Sequence, residues 1–361
     1  MIDELRRAGL RGRGGSGFPT ATKWRGILNA VAERKFVGCN AAEGEPGTFK
    51  DRYLLRKNPF ATLEGLAIEI AVLEPEAAYI CLKESFKPEI ARVEKALYEM
   101  RPVMPELRRL ELVLGPDEYL YGEEKAMLEV IEGGLPLPRV FPPYIHGLFA
   151  GAYGGPGDQL NNPTVVNNAE TLAHVPGIIA NGAEWFRELG TDESPGTMIF
   201  TLSGDVRQPT VVELPLGMTL RRLIYDQAGG PAAGEIKAVF PGVANAVATP
   251  VLLDTPLGFD SMKQPGSALG SAGFIVYDET ACLARVAYLF SRFLFVESCN
   301  QCPPCKTGSR RITELLEKLL LDEADEADLE EIEATTTWVT NGQRCYLASS
   351  EALVIASVLA S

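Results

Sequence analysis

The sequence predicts an α/β fold in its first half, then a small α+β module and a helical C-terminal region. Three observations carry this. Short apolar runs alternate with helix-period segments from residue 1 to about 190. Four strand-like runs surround one helical segment between about 196 and 278. From 281 onward, apolar residues recur at three- and four-residue spacing.

In the first region, 35–40, 77–83 and 107–114 read as strands, and 20–32, 61–73, 87–100 and 123–132 as helices. Strand–helix alternation at this spacing implies a layered sandwich whose sheet is at least partly parallel. In the second, 197–203, 211–214, 236–240 and 273–277 read as strands and 220–228 as a helix, a module of about 80 residues. In the third, 286–295, 312–321 and 352–359 carry apolar faces that suit a helical bundle. The expected domains are therefore 1–190, 191–278 and 279–361, and no internal repeat cuts across them.

Length and composition agree with two or three soluble domains: 361 residues, 46% hydrophobic and 23% charged. No run approaches the roughly 20 apolar residues that span a bilayer, so direct membrane insertion is not expected. The opening MIDELRRAGLRGRGG lacks the apolar core of a secretory signal, which makes the cytoplasm the expected location. A net charge of −14 argues against a nucleic-acid binder. Six of the first 25 residues are nevertheless basic, which suits a phosphate-bearing ligand, while the acidic stretch 322–333 reads as a solvated helix face.

Arg11-Gly12-Arg13-Gly14-Gly15-Ser16-Gly17 lies just ahead of a helix. Glycines let backbone N–H groups approach an anion, a helix start adds positive potential, and arginines add bidentate phosphate contacts. No strand precedes it and no Gly-Lys-Ser/Thr follows, so a purely structural turn also fits. The loop Asn40-Ala41-Ala42-Glu43-Gly44-Glu45 follows a strand, where α/β proteins bind ligands. Asn40 suits a flavin ring edge and Glu45 a ribose hydroxyl. Tyr121-Gly122-Glu123-Glu124 opens a helix, and the helix dipole alone also accounts for its carboxylates. Asn161-Asn162-Pro163-Thr164-Val165-Val166-Asn167-Asn168 offers amides to a flavin edge or to a helix N-cap.

The strongest signal is Cys299-Asn300-Gln301-Cys302-Pro303-Pro304-Cys305, with Cys345 forty residues on. Three close thiolates and a distant fourth match [4Fe–4S] ligation. Zinc is the competing reading, but no second cysteine pairs with Cys345 as a zinc knuckle requires. Cys39, Cys81 and Cys282 fall within strand or helix patterns and read as buried packing.

These motifs occur together in one family. Over nearly its whole length the chain resembles the flavin-bearing, NADH-oxidising subunit of respiratory complex I and the diaphorase subunits of soluble NAD-reducing hydrogenases and formate dehydrogenases. The resemblance rests on GLRGRGGSGFPTATKW, CNAAEGEPGTFKDR, YGEEKAMLE, PTVVNNAETLAH and ESCNQCPPC. It implies an FMN-binding α/β domain, a ubiquitin-like β-grasp domain and a helical iron–sulfur domain. It places Gly12, Arg13, Gly14, Lys23, Asn40, Glu43, Tyr121, Gly122, Glu123, Asn167, Asn168 and Thr171 around FMN. Phe18, Glu45, Glu124 and Tyr144 fall where the family holds NADH, and Cys299, Cys302, Cys305 and Cys345 where it holds the cluster. Three positions depart from the family: Ala42 replaces an acidic residue, Gly26 an aromatic and Phe141 a lysine near the dinucleotide. The glycine-rich loop also stands close to the start, without the leader segment many relatives carry.

The function so implied is hydride transfer from NADH to FMN and single-electron transfer to iron–sulfur clusters, or the reverse, with no protein residue as proton donor or nucleophile. Expected partners are further iron–sulfur subunits, among them a small [2Fe–2S] protein. Two alternatives stand beside it: a redox partner other than NADH, such as a protein-borne flavin or ferredoxin, and a non-catalytic scaffold with a structural cluster.

Overall fold

The computed structural model describes residues 1–151, 161–340 and 342–361. The chain forms two compact units. The first comprises Met1–Gly44, Phe49–Ile199 and Glu213–Gly217; the second comprises Glu45–Thr48, Phe200–Val212 and Met218–Ser361.

The first unit is built on a parallel sheet of β1 (Phe36–Asn40), β2 (Ala77–Lys83), β3 (Leu110–Gly115) and β4 (Thr164–Asn168), in the order β3-β2-β1-β4. Its helices are α1 (Ile2–Ala8), α2 (Thr20–Asn29), α3 (Lys50–Lys57), α4 (Pro59–Leu73), α5 (Lys87–Met100), α6 (Glu124–Ile131), α7 (Ala169–Asn181) and α8 (Ala183–Arg187). β1 and β2 are near-continuous apolar runs because both faces of the sheet are covered. Val37, Ile80, Leu82 and Val165 face a core closed by Trp24, Leu66, Ile70, Val93, Leu172 and Val175. The alternating positions Phe36, Tyr79, Cys81 and Val166 face a smaller core with Tyr121, Met127 and Leu128.

Helix α4 is apolar nearly all round and is held at its start by Pro59 and by the Asn58 side chain, which accepts from the Ala61 N–H at 3.4 Å. It runs against α7 so closely that a Cβ on Gly65 would stand 1.9 Å from the Leu172 carbonyl oxygen. Backbone cannot yield as a side chain would. Gly65→Ala is therefore expected to lower stability by about 1–3 kcal/mol or more, read as a lower denaturant midpoint.

Three elements differ from the sequence reading. Pro105–Arg109 forms a 3-10 turn, so β3 begins only at Leu110. Thr164–Asn168, read as amides for a flavin edge or a helix N-cap, is a strand whose last residue does cap a helix, and Lys50–Lys57, left unassigned, is a helix.

The second unit carries most of a four-stranded mixed sheet in the order β6-β5-β8-β7. The strands are β5 (Thr197–Gly204), β6 (Thr210–Pro215), β7 (Ile236–Pro241) and β8 (Gly273–Asp278); β5 and β8 run parallel, β7 and β8 antiparallel. Two short helices follow the sheet's chain path, α9 (Leu220–Arg222) and α10 (Phe259–Lys263). Helices α11 (Leu283–Glu297), α12 (Pro303–Leu320), α13 (Glu326–Thr336) and α14 (Leu347–Leu359) then pack on a common core of Ile312, Leu315, Leu316, Ile332, Val339 and Ile355. The acidic stretch is more than a solvated face: Asp325 caps α13 with Asp328 in a reciprocal capping box, and Asp328 also pairs with Lys318 at 2.5 Å.

Candidate functional site

In the first unit, β1 connects to β2 on one side while β4 lies on the other. The strand order changes direction between β1 and β4, and the carboxyl ends beside such a point are where α/β sheets bind ligands. Asn40 and Asn168 are register partners at those ends, and Asn167 lies opposite Cys39.

The glycine-rich loop closes on itself before α2. The Gly12 N–H donates to the Phe18 carbonyl at 2.9 Å and Arg11 Nε to the Gly17 carbonyl at 2.8 Å. It also abuts the end of β4: a Cβ on Gly14 would stand 3.1 Å from Asn168 Cβ, and the Arg13 N–H donates to Thr171 Oγ1 at 2.8 Å. Gly12, Gly14, Asn168 and Thr171 thus meet at one place. The Arg13 side chain does something other than the expected phosphate contact. Fully buried, it donates from Nε, Nη1 and Nη2 to the carbonyls of Thr197, Arg11 and Pro195 at 3.1, 3.0 and 3.1 Å. A buried guanidinium must satisfy its donors, and here backbone carbonyls do so. Burial lowers its pKa to about 10, which leaves it charged at neutral pH.

Asn40 Nδ2 donates to the Gly122 carbonyl at 2.7 Å, which brings the two polar loops together. Lys23 Nζ sits between the Val166 carbonyl at 2.6 Å and Glu124 Oε2 at 3.1 Å. Glu123 is the N-cap of α6, accepting from the N–H groups of Lys125 and Ala126, and burial pushes its pKa up to about 7. Glu43 performs the same service at α3, accepting from the Asp51 and Arg52 N–H groups at 3.0 and 3.3 Å and from Arg52 Nε at 3.0 Å. Burial raises its pKa. Tyr121 keeps its ring in the smaller core, with its hydroxyl 3.3 Å from the Val113 carbonyl. Phe18 and Tyr144 expose their rings, and Phe141 stands 6.3 Å from His146, ring to ring. Glu45 belongs to the second unit and accepts from the Val243 N–H at 2.7 Å.

Behind these lies a charge network to which sequence reading gave no role. Lys50 Nζ, fully buried, pairs with Asp51 at 2.8 Å and Glu170 at 2.9 Å and donates to Asn168 Oδ1 at 3.1 Å. Asn168 Nδ2 donates to Asp51 Oδ2 at 2.7 Å, and Asn168 caps α7. Asn168 is therefore both a helix cap and part of the crevice wall. Glu69 was also missed. The signal was weak: α4 carries two glutamates, Glu64 and Glu69, in a helix apolar nearly all round, and only Glu69 is fully buried.

In the second unit the cysteine motif spans the end of α11 and the start of α12, with Cys302 as N-cap of α12 and Cys345 just ahead of α14. The Ser298 hydroxyl stands 3.0 Å from Cys305 Sγ and 3.8 Å from Cys345 Sγ, and Cys299 Sγ lies 3.6 Å from Cys345 Sγ. Only Cys299 and Cys345 meet directly, as a hydrogen-bonded thiol pair, and no preformed coordination set stands among the described residues. The Cys299 thiol donates to Cys345, which holds Cys345 down to about 5 and pushes Cys299 up. Cys299, Cys305 and Cys345 gather around Ser298 and Cys302 packs on the same core, so the chain supplies the four soft sulfur donors that an iron–sulfur cluster takes. Cys39 and Cys81 are buried as expected, whereas Cys282 is exposed, because it precedes α11 rather than lying in it.

The family described as Nuo51 FMN-binding domain matches residues 5–177, the SLBB domain 199–238, and the NADH-ubiquinone oxidoreductase-F iron-sulfur binding region 285–361. An NADH-quinone oxidoreductase subunit of Rhizobium meliloti (strain 1021) is 37% identical over 99% of this chain and 86% of its own length. NADP-reducing hydrogenase subunit HndC of Solidesulfovibrio fructosivorans is 34% identical over 97% of this chain and 72% of its own. Among solved structures, the NAD+-reducing [NiFe]-hydrogenase in the air-oxidized state matches with a TM-score of 0.87 at 35% identity, covering 99% of this chain and 60% of that one. The chain belongs to the family of NADH-quinone oxidoreductase subunits that join an FMN-binding domain to a [4Fe–4S] region. Among the described residues, no helix is long and apolar enough to cross a membrane.

Proposed function

We propose that this chain is the diaphorase subunit of a multi-subunit oxidoreductase, exchanging electrons between NADH and iron–sulfur clusters through FMN. The observation that carries this is the gathering of Asn40, Asn167, Asn168 and the glycine-rich loop at the carboxyl ends of β1 and β4, the place where α/β sheets take ligands. Its polar supply suits a phosphate-bearing flavin: one end of the Asn167 amide takes no partner among the described residues, and Lys23 supplies a cation. FMN, when bound, accepts a hydride and releases electrons singly.

Around it, Gly12, Gly14 and Thr171 form the phosphate end, with Arg13 contributing backbone and locking the loop from behind. Asn40, Gly122, Asn167 and Asn168 face the ring, and Lys23 stands beside it. Glu43, Glu123 and Tyr121 shape the walls by capping and packing. Phe18, Glu45, Glu124 and Tyr144 take the dinucleotide, with the exposed rings offering stacking surfaces. Cys299, Cys302, Cys305 and Cys345 take the cluster. The domain reading is an FMN domain over 1–190, a β-grasp domain over 191–278 and a helical-bundle iron–sulfur domain over 279–361, supported by the match of an SLBB domain to 199–238. The chain works in the cytoplasm and passes electrons to further iron–sulfur subunits, a small [2Fe–2S] protein among them.

Anaerobic stopped-flow tests this. NADH is expected to bleach the flavin, with NADPH as the comparison. A charge-assisted bond contributes roughly 1.5–3 kcal/mol, so Phe141→Lys is expected to tighten NADH by about tenfold or more. Flavin that stays oxidised at millimolar NADH and NADPH would point to another redox partner.

A further inference from the structure

The carboxyl of Glu69, on α4, has no exposed surface. Its hydrogen-bond contact is Asn167, whose side-chain amide is placed with Nδ2 2.5 Å from Oε1, while Oε2 has no hydrogen-bond partner among the described residues. The groups facing it electrostatically are Lys23 from α2 and the Cys39 thiol from β1. Lys23 is already engaged with Glu124 and the Val166 carbonyl. An ionised carboxylate would thus sit in the core with one oxygen bare, which is costly; a neutral acid would not. The contact distance points the same way. Amide N–H donors normally stand 2.7–3.2 Å from oxygen, whereas O–H donors approach to about 2.5 Å. An amide can offer either end to this contact.

We propose that Glu69 is a neutral carboxylic acid whose O–H donates to the Asn167 side-chain carbonyl, turning the Asn167 NH2 into the crevice as a donor to the flavin. The inference rests on the reading of that crevice as the FMN site. Glu69 is then a positioning residue: it never touches the flavin but decides whether Asn167 presents a donor or an acceptor. A donor aimed at the ring favours the electron-rich reduced flavin, so it raises the flavin potential as well as the affinity.

Burial pushes the Glu69 pKa up to about 8. A carboxyl that is harder to ionise when folded contributes stability below its unfolded pKa, and that stability is lost as pH rises toward the folded value. The wild type should therefore lose thermal stability relative to Glu69→Gln as pH climbs from about 4.5 to about 8.

The test uses the full chain loaded with cluster and FMN, in Glu69→Gln and Glu69→Leu. At pH 7 the wild type is expected to show an infrared carboxylic-acid carbonyl band that Glu69→Gln lacks. The glutamine NH2 can donate to the same carbonyl, so Glu69→Gln should keep the wild-type flavin potential and FMN affinity. Glu69→Leu should weaken FMN by about tenfold, the loss of one positioned hydrogen bond, and lower the flavin midpoint potential. Absence of the band, or a Glu69→Leu protein with wild-type affinity and potential, overturns the proposal. So does Glu69→Gln behaving like Glu69→Leu. A wild type that shows the band but binds no FMN overturns the flavin reading instead, and the flavin half of the proposal with it.

Discussion

Cys302→Ser protein is expected to be purified with far fewer than the about four iron atoms per chain of the wild type, and to lose the low-temperature EPR signal of the reduced cluster. A serine hydroxyl is a harder, less acidic donor than a thiol and would be a poor substitute for a cysteine thiolate that holds iron. Cys302 begins α12 beside the core that holds Cys305, so the effect should stay local and leave FMN content unchanged. Cys282→Ser is the control: that thiol is exposed and lies outside the motif, and its loss should leave the iron in place. Zinc without iron in the wild type, or an unaltered EPR signal in Cys302→Ser, would defeat the cluster assignment.

Lys50→Met is expected to be the most destabilising single change in the first unit. It removes the cation that two buried carboxylates share, Asp51 at 2.8 Å and Glu170 at 2.9 Å. Stripping one partner from a buried pair costs about 3–5 kcal/mol, which for a unit of this size lowers the thermal midpoint by roughly 10 °C. The double variant Lys50→Met/Glu170→Gln should recover part of the loss, since the orphaned charge is gone. The network also has a pH signature. The carboxylates raise the Lys50 pKa against the opposing effect of burial. Its contribution is fully present below the pKa of an unfolded lysine, about 10.4, and is lost as pH climbs beyond that toward the folded value. A Lys50→Met protein that melts with the wild type would show the network to be energetically idle.

What the sequence revealed and what it hid follow from range. β1 and β2 were legible because buried parallel strands write themselves as unbroken apolar runs. β4 was not, because Thr164–Asn168 ends on two amides and looks like a turn until a neighbour pairs with it. The cysteine spacing and the motif glycines are local and could be read directly. The commitments of Arg13 could not: its Thr197 and Pro195 acceptors lie more than 180 positions away. Glu43 and Glu123 were noticed as ligands in waiting, yet the structure first uses both to cap the starts of helices. One short polar set can serve both ends at once.

The place of β4 bears on how the chain matures. Phe36 pairs with Thr164, so the strand that supplies Asn167 and Asn168 is made long after its neighbour. During synthesis the glycine-rich loop, β1, β2 and β3 emerge and can collapse together, leaving one side of β1 with unpaired backbone. Closing that long loop is the slow, non-local step. Until it is complete there is no crevice for a flavin to enter, and the bare flank of β1 is the surface most exposed to misassembly and to chaperone attention.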